Sequence, residues 1–127
     1  MQWLILVGGK NFNLDTIKAV NHNGCIRCYD VPNMEGRYCV DFGRDHIFYD
    51  YSERIEEFGD EFLDIPYVEP HFITMTYTSK ERVKKVLRQK DFPTDIYVDN
   101  DYGVFLPISK FIQAGIPIGK EESKMKD

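Results

Sequence analysis

Five consecutive apolar residues, Trp3-Leu4-Ile5-Leu6-Val7, closed by Gly8-Gly9, constrain this chain more than any other feature. Side chains alternate across a strand, so a strand over residues 2–7 puts apolar groups on both of its faces. Such a strand has to sit centrally in a covered sheet. The run is far below the roughly 20 residues that cross a bilayer. It also lacks the basic leader and small-residue cleavage site of a signal peptide, and a cytoplasmic, non-membrane protein is expected.

The rest of the chain supplies partners for that strand. Asn13 is placed to cap a helix over residues 14–20, with Leu14, Ile17 and Val20 on one face and Gly24 closing the connection. A meander follows over residues 25–31, 37–42 and 46–51, with turn-forming residues at 32–36 and 43–45. An amphipathic helix comes next, with Ile55, Phe58, Phe62 and Ile65 on one side and Glu53, Glu56, Asp60 and Asp64 on the other; Pro66 and Pro70 end it. Residues 71–77 read as a strand rich in β-branched and aromatic side chains.

Thr78-Ser79-Lys80-Glu81 has the form of a capping box, which predicts Thr78 as N-cap of a helix reaching about Lys90 and burying Val83, Val86 and Leu87. Residues 95–99 and 104–106 form a hairpin around Asn100-Asp101-Tyr102-Gly103. Pro107 opens a short helix carrying Ile108, Phe111 and Ile112. The order strand, helix, strand, strand occurs twice. The expected fold is therefore α+β: one compact domain over residues 1–118, with a mixed or antiparallel sheet built from two βαββ-like units and helices packed on it. Residues 119–127 are charged, lack an apolar face, and are expected to form a disordered tail.

Charge is sorted along the chain. Between Asp41 and Pro70 stand ten carboxylates (Asp41, Asp45, Asp50, Glu53, Glu56, Glu57, Asp60, Glu61, Asp64, Glu69) against Arg44 and Arg54. From Ser79 to Lys90 the sign reverses, with Lys80, Arg82, Lys84, Lys85, Arg88 and Lys90 against Glu81. Such sorting steers and selects charged partners. The net charge of −5 argues against non-specific nucleic-acid binding, which depends on clustered cations. Either charged helix face can also simply be solvated, or the two can compensate each other within the molecule.

The motifs that carry chemistry are incomplete. Gly8-Gly9-Lys10 between a strand and a helix suggests a phosphate loop, but neither G-x-x-x-x-G-K-[ST] nor G-x-G-x-x-G is present, and a glycine turn explains it. Cys25-Ile26-Arg27-Cys28 has redox or metal spacing. Within a strand, positions three apart face opposite ways, and only Cys39 and a distant histidine could complete a zinc site. An odd count of three cysteines fits reduced thiols. Asp95, Asp99 and Asp101 are the best candidates for a hard cation, although a polar hairpin turn uses the same residues. His22, His46 and His71 are scattered, and no nucleophile elbow is present.

The expected function is a small, non-catalytic protein-binding module, with no cofactor. The predicted surface consists of Tyr49, Asp50, Tyr51, Glu53, Glu56, Glu57, Asp60 and Asp64, engaging a basic, nucleic-acid-acting protein. Ile47, Tyr49 and Tyr51 share a strand face, so the aromatics can equally be core. In physical type the chain compares with immunity proteins that neutralise nuclease toxins, an analogy of charge and size alone. One alternative is a ligand- or metal-binding protein or enzyme with a pocket near residues 8–13 or 95–101. A second is an RNA-facing domain using the basic helix over residues 79–90.

Overall fold

The computed structural model describes residues 2–52 and 65–119. Along the chain the elements are β1 (Gln2–Gly8), α1 (Leu14–Lys18), β2 (Arg27–Asp30), β3 (Arg37–Asp41), β4 (His46–Ser52), β5 (His71–Tyr77), α2 (Lys80–Leu87), β6 (Tyr97–Asp99), β7 (Phe105–Pro107) and α3 (Ile108–Gln113). The strands form one sheet in the order β2-β3-β4-β5-β1-β6-β7. Every neighbouring pair is antiparallel.

β1 is paired on both edges, with Gln2–Gly8 running along His71–Tyr77 and Ile5–Val7 along Tyr97–Asp99. Its alternation splits the interior in two. Leu4 and Leu6 join Val40, Ile47, Tyr49, Ile73, Met75 and Val98 in the main core, together with Ile17 of α1, Val83 and Leu87 of α2 and Phe111 of α3. Ile5, Val7 and Phe72 form a small cluster on the other face, under Ile65, Tyr67, Tyr97 and Phe105. Among the described residues all three helices therefore cover the same side of the sheet. The cover on the second side is partial: Trp3, on the same face as Ile5 and Val7, is 44% exposed.

The strand order does not gather either βαββ-like set into adjacent strands. The element order recurs along the chain, but β1 is separated from β2 and β3 by β4 and β5, and β1 itself stands between β5 and β6. β5 and β6 are each antiparallel to β1 and hence parallel to each other, and α2 supplies the crossover that parallel strands require. A strand apolar on both faces takes a central slot because two neighbours and two layers then shield it.

Local chemistry sets the helix starts. The Asn13 side chain accepts from the Asp15 amide at 2.9 Å, and the Asn13 amide donates to the Thr16 hydroxyl at 3.3 Å, a reciprocal cap. α1 is shorter than expected and ends at Lys18. α2 is capped by Ser79, whose hydroxyl accepts from the Arg82 amide at 3.2 Å, and not by Thr78. Thr78 is held instead by β4: its hydroxyl accepts from the His46 amide at 3.1 Å and its amide donates to the His46 carbonyl at 3.3 Å. The β4–β5 pairing runs one residue past Tyr77 and moves the cap by one position.

Of the tail expected over residues 119–127, Gly119 alone is among the described residues. Ile116 and Ile118 are fully buried and Gly119 is also enclosed; residues 120–127 lie outside the described residues.

Candidate functional site

The predicted Tyr49-Asp50-Tyr51 cluster is divided by the pleat of β4. Tyr49 is fully buried, its hydroxyl 2.8 Å from His22 Nε2, and so offers no surface to a partner. Burial pushes the Tyr49 phenol well above its usual range. Tyr51 faces the same way, half-buried against the main core, with its hydroxyl 3.2 Å from His71 Nδ1. The same imidazole nitrogen lies 3.1 Å from the Phe12 carbonyl. Asp50 projects to the opposite side, 3.4 Å from Arg37 Nε. Burial raises the Asp50 carboxyl pKa, and the Arg37 charge offsets this in part. Glu53, Glu56, Glu57, Asp60 and Asp64 lie outside the described residues.

The two ends of that acidic stretch are nonetheless fixed. The chain leaves the sheet at Ser52, which pairs with Phe72, and re-enters at Ile65, which packs with Ile5, Val7 and Phe72. Both ends lie beside Phe72, at one end of the central strands on the sheet's second face. Across that face, register aligns Tyr29, Cys39, Phe48, Thr76 and Trp3 in a single cross-strand row. Arginines lie over two of its rings: Arg37 over Phe48 at 4.1 Å and Arg27 over Tyr29 at 4.8 Å. His46 meets Phe48 edge-on at 4.9 Å. The same arginines approach Asp50 and Asp41, each at 3.4 Å, so aromatic, cationic and anionic groups interleave. Sequence reasoning missed Trp3 and Tyr29 as surface residues. Strand alternation puts Phe48 on the face opposite Tyr49, and the β2–β3–β4 meander carries that parity to Cys39 and Tyr29, whereas the place of Trp3 in the row depends on strand order.

The two segments proposed for a ligand pocket come together. A cleft of about 190 Å³ is lined by Gly9, Lys10, Asn11, Phe12, Thr16, Tyr67, Asp95 and Ile96. Tyr67 closes one wall by donating to the Asp95 carbonyl at 2.7 Å. The opening offers one cation, Lys10, and one carboxylate, Asp95, and its size suits a group of a few atoms.

The cation candidates do not converge. Asp99 is buried and its Oδ1 accepts from the Asp101 amide at 2.7 Å, whereas Asp95 and Asp101 are exposed. Among the described residues no three His, Cys, Asp or Glu side chains are grouped to hold a metal ion. The turn itself is organised by Asn100, whose Oδ1 accepts from the Tyr102 and Val104 amides.

In the basic helix, Arg82 is already engaged, with Nε 3.0 Å from Asp45 and its guanidinium 4.1 Å from the Phe42 ring. That pair joins one cation of the basic stretch to one anion of the acidic stretch. Cys25 and Cys28 depart from expectation. Cys25 precedes β2 instead of belonging to it, and the two sulfurs lie 3.6 Å apart. No helix among the described residues is long and apolar enough to cross a membrane. Compared with family models, curated proteins and solved structures, the chain matches none.

Proposed function

We propose that this chain is a non-catalytic protein-binding module of the inhibitor or immunity type. It engages a basic partner through the acidic stretch over residues 53–64 and the aromatic row on the sheet's second face. The observation that carries the reading is the anchoring of both ends of that stretch around Phe72, at one end of the central strands on the second sheet face. Six carboxylates against Arg54 leave and return beside a face where Trp3 is exposed and Phe48 and Tyr29 are half-buried. In this reading the carboxylates speed encounter with a cationic partner, and the aromatic row slows its release. Asp50 belongs to this surface; Tyr49 and Tyr51, on the other side of β4, do not.

The test is a pull-down with the tagged protein at low and high salt. A basic protein retained at low salt, weakened at high salt and lost with Glu56→Lys and Asp60→Lys supports the reading. Trp3→Ala should then raise the dissociation rate and leave the salt dependence in place. Retention that is indifferent to the charge reversals overturns it.

A second reading, a small-ligand binder, is favoured by the meeting of residues 9–12 with Asp95 and Ile96 around one cleft. It predicts thermal stabilisation by a small anion such as phosphate, since a native-state ligand stabilises by mass action. Lys10→Ala should abolish that stabilisation.

A further inference from the structure

Cys25 and Cys28 are brought together by the turn that precedes β2. Gly24 takes a left-handed conformation (φ 86°), and the Cys25 amide donates to the His22 carbonyl at 3.2 Å. Pairing with β3 begins only at Ile26, whose amide donates to the Asp41 carbonyl at 2.7 Å. The chain therefore bends between the two cysteines, and the alternation that would separate their side chains does not apply. The Cys28 thiol points at Cys25 with the sulfurs 3.6 Å apart. Cys28 is exposed, on the strand that ends the sheet order, and Cys25 is half-buried against the main core.

We propose that Cys25 and Cys28 form a dithiol site for thiol–disulfide exchange with low-molecular-weight disulfides, in which Cys28 attacks and Cys25 resolves. In the first step the Cys28 thiolate attacks one sulfur of the external disulfide. A Cys28 mixed disulfide forms and one external thiolate leaves, taking up a proton. In the second step Cys25, as thiolate, attacks the Cys28 sulfur. The Cys25–Cys28 bond forms and the second external thiol is released. Two protein thiols are oxidised and one external disulfide is reduced to two thiols, so electrons and protons balance.

The roles follow from access. Cys28 is the thiol that an incoming disulfide meets, and Cys25 stands behind it within reach of the sulfur left by the first step. Burial and the adjoining Cys28 thiol hold the Cys25 thiol above its ordinary range, which suits a group that acts second. A disulfide requires the sulfurs to close to about 2.05 Å. Cys25 lies in a turn outside the strand ladder, so side-chain rotation can close the gap with the β2–β3 pairing kept. Cys39 is 2% exposed on the opposite face of β3 and provides an internal control.

The experiment treats the fully reduced protein with glutathione disulfide, then reads intact mass and alkylation of each cysteine. The expected product is lighter by two hydrogen atoms, with Cys25 and Cys28 protected and Cys39 alkylated after unfolding. Cys25→Ser should arrest at a stable glutathione adduct on Cys28, and Cys28→Ser should form no disulfide. A wild-type protein that keeps the adduct on Cys28, reacts at Cys39 instead, or leaves the pair unmodified overturns the proposal. The wild-type measurement decides by itself, whether or not either variant folds.

Discussion

Asn100 shows how one buried amide holds a turn together. Its Oδ1 accepts from Tyr102 at 2.8 Å and Val104 at 3.1 Å, and its Nδ2 donates to the Pro117 carbonyl at 3.0 Å. Removing the amide leaves polar backbone groups without partners in a site that is 1% exposed. Asn100→Ala is expected to lower stability by about 2–3 kcal/mol in urea unfolding. Asn100→Asp should be destabilising too, because a carboxylate cannot donate to Pro117. The composition of residues 100–103 made the turn legible, but the contact with Pro117 was not, since it joins positions on different elements. His22 is a second buried polar group. Burial lowers its pKa, opposed by the Val20 backbone and the Asp91 carboxylate. The unfolded chain therefore binds a proton at higher pH than the folded one, and stability rises with pH across that interval. His22 contributes no penalty above its ordinary pKa of about 6.5 and progressively more below it. Melting temperature should fall on acidification through this range, and His22→Gln should flatten that part of the profile.

Helix starts and strand parity were legible because each is written in neighbouring residues. Asn13 caps α1 as its sequence requires, and Val83, Val86 and Leu87 are the buried face of α2. The one-residue error at the start of α2 has a specific source. Thr78 has cap chemistry, but the β4–β5 ladder claims its hydroxyl and its amide. Ser79→Ala should therefore cost about 1 kcal/mol and reduce helicity. Thr78→Val should leave α2 intact and lose only the contact with His46; circular dichroism with chemical unfolding separates the two. The reading of residues 25–31 as one strand failed because the bend at Gly24 and Cys25 depends on which residue of β3 pairs first. That same failure hid the approach of the two thiols. Part of the candidate surface was misplaced for a related reason: Tyr49 and Asp50 are neighbours in sequence and lie on opposite faces of a sheet.

At the scale of the molecule, class was legible and strand order was not. Seven strand and four helix signals imply an α+β domain, but no local signal says that β1 lies between β5 and β6. Because it does, the second half of the chain lacks the strand that joins β5 to β6. A fragment beginning at residue 65 should show no cooperative unfolding transition, whereas two independent βαββ units would each show one; calorimetry distinguishes these outcomes. The position of β1 also has a consequence for the order of synthesis. Gly8 pairs with His71, so translation at about 5–20 residues per second delays the partner of β1 by several seconds. Through that interval the most apolar pentapeptide of the chain waits unpaired beside the ribosome. Slow codons or a crowded polysome would then govern yield through aggregation of nascent chains, a vulnerability unrelated to the stability of the finished fold.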